Sequence, residues 1–171
     1  MRVLTPLQLR KLIGIANYQF GKGAGSLLFN RDVRIVCSRR TGRIKHIYKN
    51  KQLLATLRPK DGYFALTPHG AKLLLSGSEN PPNVVVVLND VSGMIKRGGD
   101  VFAKHVVRAA ESLRPGEEVI VTDDDGLLVG VGRAVLSGDD MKYFRRGVAV
   151  RVRRGVEEPV ERSHQISGEN V

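Results

Sequence analysis

From Val84 onward the sequence is built of short apolar, β-branched runs, and their brevity is the strongest constraint on what the chain folds into. Val84 to Leu88, Val101 to Val107, Val119 to Val121, Leu127 to Leu136 and Val148 to Val152 each have the composition of a strand. Five or six strands of this length predict a small barrel. Ser137-Gly138-Asp139-Asp140 has the form of a capping box, which predicts a helix carrying Met141, Tyr143 and Phe144 and ending by Gly147. In the last run Val148, Val150 and Val152 alternate with Ala149, Arg151 and Arg153. That period of two predicts inward valines and two arginines emerging on one side. Residues 156–171 are polar and aperiodic and are expected to form a flexible tail.

The first half reads differently. Thr5-Pro6-Leu7-Gln8 supplies a capping hydroxyl, a proline at the first helical position and a glutamine three residues past the cap, so a helix is predicted to start there. Leu9, Leu12, Ile13, Ala16 and Phe20 give it one apolar stripe, and Gly21-Lys22-Gly23-Ala24-Gly25 ends it. Leu27, Leu28 and Phe29 begin a second apolar contact. Val33–Val36, Ile44–Tyr48 and Leu53–Leu57, with turns at Thr41-Gly42, Asn50-Lys51 and Asp61-Gly62, predict a small antiparallel sheet. Thr67-Pro68 repeats the helix-start signal before Ala71–Leu75, and Ser76 to Pro82 reads as a linker. The expected organisation is an α+β domain over residues 1–77 followed by a mainly β domain over 83–155.

Charge divides the chain at the same place. Residues 1–80 hold 15 Lys/Arg against 3 Asp/Glu, whereas residues 81–171 hold 13 against 14. A net charge of +11 on 171 residues points to a polyanionic partner, with nucleic acid foremost, and the field is concentrated in the first half. The densest cluster is Ser38 to His46, where Arg39, Arg40, Arg43 and Lys45 surround a turn; a solvated hairpin tip is the bland alternative. One cysteine, Cys37, excludes an internal disulfide and any two-cysteine zinc site and fits a reducing, cytoplasmic setting. Met1 to Pro6 contains no signal-peptide core, and no apolar run approaches the length of a membrane span.

Four local patterns admit two readings each. Ile95-Lys96-Arg97-Gly98-Gly99-Asp100 is either a glycine turn whose amides face a phosphate or a tight helix-to-strand turn needing positive φ. Gly130-Val131-Gly132-Arg133 lacks the third glycine and the helix of a dinucleotide fingerprint, and strand glycines of this kind mark bulges or barrel corners. Asp123-Asp124-Asp125-Gly126 is better suited to a hairpin turn than to a divalent metal. His46, His69, His105 and His164 show neither ligand spacing nor a partnered nucleophile, so neither a catalytic constellation, a metal site nor a cofactor is expected. The arginines of the last strand either grip phosphates with their planar forks or blunt a sheet edge. Aromatic residues make up only 5%, so the reading of a folded RNA by shape and phosphate is expected in place of base stacking.

The segments Val101-Phe102-Ala103-Lys104-His105-Val106, Leu113 to Val121, Gly130 to Ala134 and Gly147 to Arg153, in this order, resemble a PUA domain. The resemblance implies a six-stranded pseudo-barrel that binds RNA. In relatives such as archaeosine tRNA-guanine transglycosylase, this module grips the tRNA acceptor region through the glycine-bearing turn and the last strand. By position it implicates Lys96, Arg97, Gly98, Lys104, His105, Arg151 and Arg153. Phe20 to Gly25 and Asp61 to Thr67 are similar to the domain that often precedes PUA in archaeal proteins. The expectation is a non-enzymatic RNA-binding protein for tRNA or rRNA, serving RNA modification or translation. The alternative is an RNA-binding subunit of a tRNA-modifying enzyme whose catalytic domain lies on another chain. Duplex DNA is disfavoured because no helix-turn-helix pattern occurs.

Overall fold

The structure is a computed structural model, and it describes residues 1–78 and 81–157. The first half forms a five-stranded antiparallel sheet, ordered β1 (Arg2–Val3), β2 (Arg34–Cys37), β3 (Ile44–Lys49), β4 (Gln52–Leu57) and β5 (Phe64–Leu66). Helices α1 (Pro6–Phe20), α2 (Ala24–Leu28) and α3 (Pro68–Gly77) accompany it. The helix starts follow the local chemistry. Gln8 N donates to Thr5 Oγ1 at 3.2 Å and Thr5 N donates to Gln8 Oε1 at 2.9 Å, closing the predicted box. Thr67 caps α3 by accepting from Gly70 N. Asn50 and Lys51 both have positive φ, the geometry of a tight two-residue hairpin between β3 and β4.

Helix α2 is the apolar contact expected from Leu27–Phe29, and glycine makes its approach possible. A Cβ on Gly25 would lie 2.4 Å from Ile13 O of α1, and Gly25 N instead donates to Asn17 Oδ1 at 2.8 Å. Leu12, Ala16, Phe20, Leu28, Phe29 and Phe64 fill the space between helices and sheet.

The second half forms a six-stranded sheet from β6 (Val84–Val87), β7 (Val101–Phe102), β8 (Val106–Ala109), β9 (Glu118–Asp123), β10 (Leu128–Ala134) and β11 (Val148–Gly155). Helices α4 (Ser92–Lys96) and α5 (Gly138–Tyr143) are short. The order is β7-β11-β10-β9-β6-β8, with β6 and β9 parallel and the remaining pairs antiparallel. Strands β7 and β8 are consecutive in the chain yet occupy opposite edges of the sheet. The sheet therefore curls until its edges meet, giving the expected pseudo-barrel. This overturns the reading of Val101–Val107 as one strand. A 3-10 turn over Ala103–His105 carries the chain between the edges, held where Ala103 N donates to Gly147 O and Leu88 N donates to His105 O.

Strand β9 is buried along its whole length. Val119 and Val121 enter the barrel core, while Ile120 and, on β10, Val131 point the other way into the core of the first half. The two halves thus share apolar packing. The junction is fixed by polar bonds as well, since Asn83 Nδ2 donates to Glu118 O and Ile120 N donates to Asn83 O. Residues 79–80 of the expected linker lie outside the described residues, and Ser76 and Gly77 belong to α3.

Glycine and aspartate in this half are structural where the sequence left two readings. A Cβ on Gly132 would lie 2.2 Å from Arg151 O, where the β10–β11 pairing shifts register. Asp123 to Gly126 is a turn, with Leu127 N donating to Asp123 Oδ1 and Asp124 N donating to Asn89 Oδ1. The tail expected from residue 156 is tied down at its start, because Val156 N donates to Val129 O and Glu157 N to Lys96 O. Residues 158–171 lie outside the described residues.

Candidate nucleic-acid interface

The densest basic cluster sits on the β2–β3 hairpin tip. Ser38 N donates to Arg43 O and Gly42 N to Ser38 O, so a closed loop presents Arg39, Arg40 and Arg43 to solvent, with Lys45 exposed on the adjoining strand. His46 beside them is held at 3.0 Å from Thr56 Oγ1, and burial with the nearby Lys45 charge keeps its pKa below the usual imidazole value. His46 is therefore a neutral sheet residue at pH 7, not a fifth cation. Among the described residues, Arg58 is the one cation of the first half with a carboxylate within 4 Å, its Nη2 lying 3.0 Å from Asp61.

On the barrel, α4 ends over β11, where a Cβ on Gly155 would meet Lys96 O at 2.1 Å. Arg97 is exposed and Gly98 adopts φ +96°. The amides of Arg97, Gly98 and Gly99 donate to Met94 O, Ile95 O and Met94 O. The reading in which a phosphate rests on these amides is thereby overturned, since helix carbonyls already occupy them; Lys96 and Arg97 can offer only their side chains. Lys104 and His105 lie in the 3-10 turn that joins the sheet edges.

The arginines of β11 do project with a period of two, but their surroundings differ. Arg151 is exposed, its Nε 3.5 Å from Asp100 Oδ2. Arg153 instead reaches back to the first half. Its Nη1 donates to Glu118 Oε2 at 2.9 Å, and its Nη2 donates to Glu118 Oε1 and, at 2.5 Å, to Leu66 O. Leu66 N donates to the same carboxylate at 2.8 Å. Glu118 is fully buried, and burial raises its carboxyl pKa against the opposing pull of Arg153. Arg153 is thus a clamp between the halves, with its fork occupied inside the molecule, and the expectation that it faces a phosphate is corrected on that ground.

Two residues absent from the sequence expectation belong here. Arg133 lies directly opposite Arg151 across β10–β11 and is exposed, an alternation visible in the strand once its register is known. Directly opposed like charges are unfavourable in a sheet, and the Asp100 carboxylate 3.5 Å from Arg151 offsets one of them. Glu118 had no local signal, because its partners lie 35 and 52 residues away.

Residues 10–81 match the family described as the patch-forming domain C2 of tRNA-guanine transglycosylase, and residues 83–156 match the PUA domain. A tRNA-guanine(15) transglycosylase of Methanobrevibacter smithii is 38% identical over 148 residues, which is 86% of this chain and 22% of that protein. Its counterpart in Thermococcus kodakarensis is 40% identical over 146 residues, 85% of this chain and 25% of that protein. The chain thus spans about a quarter of the length of these relatives. Among solved structures, a hypothetical protein of Pyrococcus horikoshii superposes with a TM-score of 0.74 at 23% identity, covering 92% of this chain and 95% of that one. A conserved PUA domain protein of Thermoplasma acidophilum gives 0.66 at 16% identity, covering 90% and 92%. The near-closed barrel, the preceding α+β sheet and the two matches identify residues 83–156 as a PUA domain, joined to a C2 domain of the tRNA-guanine transglycosylase type over residues 10–81.

Proposed function

We propose that this protein is an adaptor that holds structured RNA, tRNA or rRNA, working as two units over residues 1–77 and 83–155. The observation that carries the reading is the unneutralised charge of the first half: among the described residues its exposed lysines and arginines have no carboxylate within 4 Å, apart from Arg58. A field of that kind gathers a polyphosphate chain and releases its counterions. The hairpin residues Arg39, Arg40, Arg43 and Lys45 form one contact, and the side chains of Lys96, Arg97, Lys104, His105 and Arg151 on the barrel form the other. Such binding belongs in the cytoplasm, where tRNA and rRNA are met.

Salt titration of binding to unmodified tRNA tests this. Engagement of about five phosphates gives a slope of about −4 in log affinity against log salt. Arg39→Glu, Arg40→Glu and Arg43→Glu together reduce that slope by two units or more. A slope near zero for the unaltered protein refutes the proposal.

The relatives favour a second reading, in which the chain is the RNA-binding subunit of a tRNA-modifying enzyme and the catalytic domain resides on another chain. Base exchange into tRNA by such a catalytic chain, measured with and without this protein, separates the two.

A further inference from the structure

At the seam between the halves lie two adjacent hollows, of about 210 and 510 Å³, with Tyr18, Gln19 and Glu117 lining both. The larger falls within the range of small-ligand pockets, about 300–1,000 Å³. Its aromatic wall is preassembled. The Gln19 amide donates to Phe64 O and accepts from Phe64 N, both at 2.8 Å, across 45 residues of sequence. Gln19 follows Tyr18 and Phe64 follows Tyr63, so this two-point bond brings the tyrosines together with centroids 5.9 Å apart and planes 10° apart. Tyr18 nevertheless remains 79% exposed. A large aromatic ring held in place yet open to water is a stacking platform that gives up little rotamer freedom when it is used.

Charge around the platform says what stacks there. The protein as a whole attracts phosphate, but in this cleft Arg58 is neutralised by Asp61 and Glu118 is buried against Arg153, so the open charge on its wall is the carboxylate of Glu117. Carboxylates repel a phosphate and accept from the N–H edges of a base. Pro115 and Gly116, which also line the cleft, carry no charge. We propose that this seam receives one unpaired nucleobase of the bound RNA, stacked on the Tyr18–Tyr63 ledge, while the basic surfaces hold the backbone around it. The inference rests on the RNA-binding reading and deepens it, adding readout of an unstacked base where sequence composition pointed to shape alone.

The test compares a hexamer of adenylate with an abasic hexamer of the same backbone, by fluorescence anisotropy at low salt, on the full chain and on Tyr18→Ala and Tyr18→Phe. Tyr18 is mainly exposed, so both variants fold. The adenylate hexamer binds the unaltered protein more tightly than the abasic one. Tyr18→Ala weakens adenylate binding about 5- to 100-fold, leaves abasic binding unchanged, and Tyr18→Phe restores it. Equal affinity for the two hexamers, or equal adenylate affinity in Tyr18→Ala, overturns the base site while tRNA binding and its salt slope stand. Failure of the unaltered protein to bind tRNA at all overturns both this proposal and the reading beneath it.

Discussion

Replacing Arg153 by leucine isolates the buried ion pair through which the barrel holds Leu66 of the first half. The Glu118 side chain is 0% exposed and that of Arg153 is 40% exposed. Removing one partner of a buried pair costs about 3–5 kcal/mol, and partial exposure of the cation places this one at the lower end, about 3 kcal/mol. For a chain of this size that is a fall of roughly 6–12 °C in melting temperature. The loss depends on pH with a definite sign. Burial already holds the Glu118 carboxyl above its ordinary value, and Arg153 opposes that rise. Without Arg153 the folded pKa climbs further. A carboxyl whose folded pKa exceeds its unfolded one contributes stability at low pH that disappears as pH rises through the folded value. The deficit of Arg153→Leu is therefore smallest near the unfolded carboxylate range, about pH 4, and grows toward neutrality. Adding Glu118→Gln removes the stranded charge and keeps an acceptor for Leu66 N, so the double variant recovers at least half of the loss at pH 7. Urea denaturation at both pH values measures all of this. A loss below about 0.5 kcal/mol at pH 7, typical of a surface substitution, or a deficit that does not vary with pH, refutes the clamp.

Three further outcomes follow from geometry. Gly132→Ala forces a methyl group to within 2.2 Å of Arg151 O and destabilises the barrel by about 1–3 kcal/mol in thermal denaturation. Thr67→Ala removes the α3 cap and the hydroxyl donation to Leu53 O at 2.6 Å, costing about 1–2 kcal/mol in the same assay. His46→Gln leaves the salt slope of tRNA binding unaltered, because the imidazole is already neutral at pH 7, whereas Lys45→Gln lowers it by about one unit.

What was legible in the sequence was local. The α1 and α3 starts were readable because a cap, a proline and a following amide sit within four residues. The hairpin turns were equally visible from Asn50-Lys51 and Asp61-Gly62. Helix α2 has only five residues and owes its place to the missing side chain of Gly25, so periodicity had too little length to report it. The break after Phe102 carries little local signal because Val101–Val107 begins and ends with β-prone residues, and the chain turns there to satisfy two distant sheet edges. Arg153 resembled Arg151 in pattern and differs from it only through Glu118 and Leu66, 35 and 87 residues away. The tyrosine pair is hidden for the same reason: two long-range hydrogen bonds of the Gln19 amide assemble it.

Because Ile120 and Val131 of the barrel lie in the core of the first half, neither half can swing on the other without laying apolar surface bare to water. The molecule behaves as a caliper with set jaws. For a transcript that touches both the hairpin tip and the barrel, the jaws would fix the separation at which its phosphates must be offered.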